Sequence, residues 1–202
     1  MGIPASTAYH GVFSGGSVNN KTLLVTGGAG AVGHYAIQLA KWDGAKVIAT
    51  VSGPEKGLAA KEAGADLVVN YKTDDVVQSV NDFTSGEGVD RIVEVEFGGN
   101  LSVSKQVIKT NGVIAAYGSV AVGNPELPFY SLMFKGAIIK MYLIYIVPGE
   151  ARINIINGLT KALSENALVH QIAKSFDLAE TIQAHKTVET GKLIGNVVIN
   201  LA

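Results

Sequence analysis

The sequence predicts an α/β fold: a doubly wound, parallel, six-stranded sheet followed by a C-terminal segment of different character. Three observations lead there. Short apolar runs alternate with helical stretches along residues 22–147, the pattern of parallel strands joined by right-handed crossovers. Hydrophobic residues make up 48% of the 202-residue chain and charged residues 16%, as strands covered on both faces require. Gly28, Gly30 and Gly33 fit G-x-G-x-x-G between the first apolar run and the first long helical pattern, a strand–turn–helix context in which glycine amides can approach a diphosphate.

In chain order, residues 3–13 read as a short helix after Pro4 that ends near Gly15-Gly16. Residues 22–26 form the first strand and 31–42 its helix, with Ala36, Ile37, Leu39 and Ala40 at helical spacing. Residues 46–51 (KVIATV) form the second strand, entered through Asp43-Gly44. A helix over 55–63 is closed by Gly64. Residues 67–70 are a third strand, 74–83 an amphipathic helix ended by Ser85-Gly86, and 91–95 a fourth strand. A helix over 101–108 stops at Asn111-Gly112; residues 113–117 are the fifth strand and 137–147 the sixth. Six strands in two groups of three is the dinucleotide-binding arrangement, with the ligand at the carboxyl ends where the strand order reverses. After Pro148-Gly149 come helices over 151–165 and 179–189, then a strand over 197–201 that has no following helix and no place in the parallel sheet.

Composition narrows the function classes. The net charge of −1 gives no reason to expect nucleic acid or an anionic membrane as a partner. With no cysteine there is neither a disulfide nor a thiolate metal site. The longest apolar run, 137–147, is interrupted by Lys140 and too short to cross a bilayer. The N-terminal stretch MGIPASTAYHG lacks a basic region followed by an apolar one, so a signal peptide is not expected and a cytoplasmic location is.

The end of the second strand selects the nucleotide. NAD-binding versions carry an acid about 20 residues past the first glycine, on the ribose hydroxyls. Here the strand end reads Ala49-Thr50-Val51-Ser52-Gly53-Pro54-Glu55-Lys56, with no acid at the tip. A Ser52 hydroxyl and a Lys56 cation can receive a 2′-phosphate, which favours NADPH. Glu55 is the exception, being able to fold back toward the ribose, and a solvated lysine is the bland alternative for Lys56.

Seven segments in order, GIPASTAYHGVF, TGGAGAVGHYAIQLAK, ATVSGPEK, AGADLVVNYK, GVDRIVEVEFGGNLS, GVIAAYGS and AHKTVETGKLIGNVVINL, resemble the cofactor-binding half of the medium-chain dehydrogenase/reductase superfamily. Among its members they are most similar to the zinc-free quinone oxidoreductase (zeta-crystallin-like) branch. The resemblance implies that Gly28, Gly30, Ala31, Val32 and Gly33 form the pyrophosphate loop. It implies that Ser52 and Lys56 take the 2′-phosphate and Tyr71 lies against the adenosine end. Phe97 to Gly99 and Tyr117 to Ser119, Gly118 included, would border the nicotinamide side, and Thr7 and Tyr9 the interdomain cleft. It further implies a homodimer through the strand over 137–147. Residues 1–20 would be a leading helix and linker, 21–147 the NADP-binding domain, and 148–202 helices and a strand completing a barrel-like catalytic domain to which nothing here corresponds. The chain departs from the family pattern at Gly30-Ala31, usually Gly-Gly, at Asn196, where lysine is common, and at Glu96, which brings a charge to the nicotinamide side.

Other chemistry is weakly signalled. His10, His34, His170 and His185 show no metal-ligand spacing, and His34 reads as a polar residue near a helix start. Glu94 and Glu96 alternate along one strand; paired carboxylates can do acid–base work, but here they read as helix-cap or solvent-linked groups. No G-x-S-x-G elbow and no P-loop occurs. The expected function is therefore NADPH-dependent hydride transfer to a quinone or another conjugated carbonyl. No residue is assigned as catalytic. The alternatives are a nucleotide-binding or dimerisation fragment without turnover, and an enoyl reductase or alcohol dehydrogenase of the same superfamily.

Overall fold

The computed structural model describes residues 2–191 and 193–201. In chain order the elements are α1 (Gly2–Phe13), β1 (Thr22–Val25), α2 (Ala31–Trp42), β2 (Lys46–Val51), α3 (Pro54–Glu62), β3 (Leu67–Asn70), α4 (Val76–Thr84), β4 (Val89–Glu94), α5 (Phe97–Val107), β5 (Ile108–Ala116), α6 (Phe129–Met133), β6 (Ile138–Met141), α7 (Gly149–Ser164), β7 (Ile172–Asp177), α8 (Thr181–Glu189) and β8 (Asn196–Asn200). Strands β1–β6 form one parallel sheet in the order β3-β2-β1-β4-β5-β6, so the direction of winding reverses between β1 and β4.

Alternation along the strands builds two cores. Leu24, Ile48, Ile92 and Ile114 stand in register across four neighbouring strands and belong to the core under α4 and α5. Their sequence neighbours Leu23, Val25, Val47, Ala49 and Val93 point to the opposite core, under α1, α2, α3 and α7. Burial on both faces is why these strands read as unbroken apolar runs. Arg91, 2% exposed, interrupts β4; its guanidinium donates to the carbonyls of Val12 and Gly16 and so closes the C-terminal end of α1, where a cation is favoured.

Several boundaries differ from those expected. α5 starts at Phe97 rather than 101 because the Glu96 side chain caps it, accepting from the Gly99 amide at 3.4 Å. β5 begins directly at Ile108, with a register irregularity against β4. The sixth strand is only Ile138–Met141; a 3-10 turn over Ile144–Ile146 ends the apolar run, and Tyr142, its amide still on the Ala116 carbonyl at 3.0 Å, donates its hydroxyl to the Thr7 carbonyl at 2.9 Å. The helix expected over 179–189 is a 3-10 turn, Leu178–Glu180, leading into α8. The last strand pairs in parallel with β7 in a separate two-stranded sheet. β7 escapes sequence reading because only Phe176 of its six residues is buried.

Candidate functional site

The corner after β1 is built by close backbone packing. The Gly28 amide donates to the Thr50 carbonyl at 2.9 Å and the Gly30 amide to the Gly27 carbonyl at 2.9 Å. A Cβ on Gly28 would stand 2.8 Å from that of Ala49, and one on Gly33 only 2.2 Å from the Gly27 oxygen. Gly27, with φ +66°, turns the chain; sequence reading missed it because G-x-G-x-x-G begins one residue later. Gly30 is the N-cap of α2 and supplies no side-chain cap. The first-turn amides of Ala31, Val32 and Gly33 therefore have no intrahelical partner and face the carboxyl edge of the sheet where winding reverses, next to the dipole's positive end. A Cβ added at Gly30 would meet only the Gly27 oxygen, at 3.2 Å, so among the described residues this corner fits a diphosphate.

On one side of this corner, Ser52 follows β2 and Lys56 lies in the first turn of α3, both partly buried. Glu55 is exposed in that same turn. Tyr71, 54% exposed, joins Thr26, Gly27, Thr50, Val95 and Asn100 around a cavity of about 340 Å³. On the other side, Phe97, Tyr117, Gly118, Ser119, Met141 and Tyr142 line a cavity of about 380 Å³. The first cavity touches the corner at Gly27, and the second lies at the ends of β5 and β6. Ser119 is committed within its loop: its hydroxyl donates to the Val122 carbonyl at 2.5 Å and accepts from the Gly98 amide at 2.9 Å. Burial pushes the Tyr117 and Tyr142 phenols above their ordinary range, with Glu94 adding to the shift at Tyr117.

The two glutamates divide their work. Glu94 is solvent-excluded, which corrects its reading as solvent-linked. Its Oε1 accepts from the Thr26 hydroxyl at 2.7 Å, the Glu96 amide at 2.8 Å and Asn100 Nδ2 at 2.8 Å. Thr26 in turn accepts from the Val95 amide at 2.9 Å, so Glu94 stitches the tips of β1 and β4 to α5. Glu96 is the cap it was expected to be and also something more: its Oε2 accepts from the Val120 and Ala121 amides at 2.7 and 3.0 Å, and Oε1 from Val122 at 3.4 Å. These amides, Ala121 foremost, hold its carboxyl below the ordinary glutamate range. The charge expected to face the nicotinamide side is spent on the loop after β5.

Elsewhere the expected residues are structural. Thr7 is buried, donating its hydroxyl to the Ile3 carbonyl at 2.8 Å. Tyr9 stacks 4.6 Å from Phe13 and faces α7 rather than the glycine corner. His34 is bonded to the Val169 carbonyl at 3.3 Å. Asn196 ties β8 to Gln171 through backbone and side chain.

A family model for zinc-binding dehydrogenases matches residues 31–153, more than half of the chain. The chain belongs to the medium-chain dehydrogenase/reductase superfamily. It is 31% identical over 183 residues to a Burkholderia 2-haloacrylate reductase, covering 88% of this chain and 54% of the relative. It is 28% identical over 179 residues to a probable quinone oxidoreductase of Schizosaccharomyces pombe, covering 86% and 54%. A mycobacterial protein solved with NADPH superposes with a TM-score of 0.86 at 27% identity, over 98% of this chain and 62% of the other. The chain spans about half the length of the curated relatives it matches. This dehydrogenase/reductase sheet is the cofactor-binding half of the superfamily fold. Among its described residues no group of three or more His, Asp or Glu side chains converges to hold a metal ion. No helix among them is long and apolar enough to cross a membrane.

Proposed function

We propose that this chain binds NADPH and serves an oxidoreductase that passes hydride from NADPH to a quinone or another conjugated carbonyl. The observation that carries the reading is the bare glycine corner beside an acid-free strand tip. Ala31, Val32 and Gly33 hold the diphosphate by backbone amides, Gly28 and Gly30, whose own amides are spent on Thr50 and Gly27, shape the turn that presents them, and Ser52 and Lys56 receive the 2′-phosphate. Tyr71 covers the adenosine end. Phe97, Gly118 and Ser119 shape the nicotinamide side, Ser119 through its loop bonds rather than a free hydroxyl. The hydride chemistry is the cofactor's; these residues bind and orient it. Relatives named as a 2-haloacrylate reductase and a probable quinone oxidoreductase support a conjugated acceptor. A neighbour solved with NADPH supports the nucleotide.

We place the NADP-binding domain at 21–147, after a leading helix and linker (1–20), with 148–202 contributing to a catalytic domain. The exposed Ile138 and Met141 of β6, 55% and 68% accessible, favour a homodimer through that edge, since an unpaired apolar edge is a template for another chain.

Titrating the chain with NADPH and NADH tests the nucleotide. Lys56→Ala is expected to weaken NADPH about ten-fold, the scale of one charged hydrogen bond, and to leave NADH nearly unchanged; equal affinities of the parent chain for both would overturn the 2′-phosphate assignment. Following reduced-nicotinamide absorbance with a small quinone separates turnover from binding alone.

A further inference from the structure

A cavity of about 680 Å³ lies away from the glycine corner, between α1, the end of α2, β6 and α7. Its volume falls within the roughly 300–1,000 Å³ of small-molecule sites. Helix α1 presents two adjacent i, i+4 rows to it. One row is aromatic, Tyr9 and Phe13, and Trp42 extends it with its ring edge-on to Phe13 at 6.3 Å. The other row, His10 and Ser14, is polar and has unspent hydrogen-bonding capacity. His10 is 8% exposed. Ser14 Oγ is buried without a partner. Lys140 Nζ reaches between them, donating to the Ser14 carbonyl at 3.2 Å and keeping two further protons to give.

Buried polar groups are nearly always paired, and each exception calls for an explanation such as a ligand or ordered water. Here one exception, Ser14 Oγ, shares the cavity lining with His10 and the Lys140 cation. The wall beside them is aromatic, its rings inclined at 47° between Tyr9 and Phe13 and at 89° between Phe13 and Trp42, and Lys161 sits 5.5 Å above the Trp42 ring. The one carboxylate lining the cavity, Asp43, is engaged by the Ser17 hydroxyl at 2.7 Å and the Val18 amide at 2.6 Å. Charge and shape therefore favour a planar anion. We propose that this cavity binds a small aryl or conjugated carboxylic acid, its ring against Tyr9, Phe13 and Trp42 and its carboxylate at Lys140, His10 and Ser14. The site is separate from the nucleotide corner: the His10 ring meets Tyr142 edge-on at 4.8 Å, and Tyr142 lines the nicotinamide-side cavity beyond.

The test is titration of the 15N-labelled 202-residue chain with sodium benzoate, followed by amide and indole shifts. Saturable shifts are expected at residues 9–17, at the Trp42 indole and at 151–161. Benzamide, equal in shape and uncharged, is expected to bind about ten-fold more weakly, and Lys140→Met to weaken benzoate by about the same factor. Ser14→Ala keeps the backbone carbonyl that Lys140 uses and is expected to weaken benzoate several-fold. Strictly linear shifts up to about 10 mM, weaker than any specific millimolar site, would overturn the proposal and leave water as the occupant. Benzoate and benzamide binding equally would overturn it too, as would shifts centred on 117–125. The benzamide comparison needs no variant, so it stands even if Lys140→Met perturbs β6.

Discussion

At Gly33 a Cβ would stand 2.2 Å from the Gly27 oxygen and 2.9 Å from the Gly28 Cα, with backbone on both sides and nothing flexible to yield. Gly33→Ala must push α2 off the β1 corner. We expect a stability loss of about 1–3 kcal/mol, the scale of overpacking, and loss of NADPH binding, read by thermal melting and nucleotide titration. Gly30→Ala meets only the Gly27 oxygen, at 3.2 Å, and should bind better than Gly33→Ala. The Glu96 carboxyl argues for a pH effect. Because the Val120–Val122 amides lower its folded value, the stabilisation it gives the loop is complete above the ordinary glutamate range. It is lost as pH falls through that lowered value. Amide shifts of residues 120–122 should therefore titrate together in acid, and Glu96→Gln should abolish that titration and loosen the same loop at neutral pH.

At the scale of elements, the sheet was legible wherever burial was two-sided. β1, β2 and β4 carry apolar stretches, Leu23 to Val25, Val47 to Ala49 and Ile92-Val93, whose two faces are both covered, so their bounds emerge within a residue or two. Where burial fails, so does the reading: β6 shares its apolar run with a 3-10 turn, and β7 hides behind Lys174, Ser175 and Asp177. The candidate site was legible in its glycines and less so in its supports. Gly27 acts through a positive φ, Glu94 through a network closed by Thr26, Asn100 and Ser104, and no spacing in the sequence announces either. The register of Leu24, Ile48, Ile92 and Ile114 carries its own prediction. Ile92 is fully buried at the centre, and Ile92→Ala should cost about 2–5 kcal/mol, transfer plus cavity, visible as a lower denaturant midpoint with an unchanged slope.

At the scale of the whole molecule, stability is distributed unevenly. The six-stranded sheet is sandwiched between two cores, whereas β7 and β8 form a two-stranded parallel pair flanked by α8, of which Ala184 is the buried residue. Ile172, Leu178 and Ile182 are 59%, 63% and 74% exposed, so this unit buries little of its apolar surface. Its tether to the sheet domain combines Leu168, buried in the core, and Ile194, packed against it, with a local set of polar bonds. Gln38 Oε1 accepts from the Val169 amide at 2.6 Å, Gln38 Nε2 donates to the Val169 carbonyl at 3.2 Å, and the Tyr35 hydroxyl is bonded to His170 Nδ1 at 2.9 Å. Regions with few buried contacts open without global unfolding. Amides of β7 and β8 should therefore exchange hydrogen far faster than those of β1 and β4. Gln38→Ala, which leaves the Val169 amide unpaired and its carbonyl to His34 alone, should speed exchange of the C-terminal unit roughly ten-fold while β1 and β4 keep their rates. Equal protection across both sheets, or a variant that accelerates all strands together, would show instead that the molecule opens as one cooperative body and that the tether is part of its core.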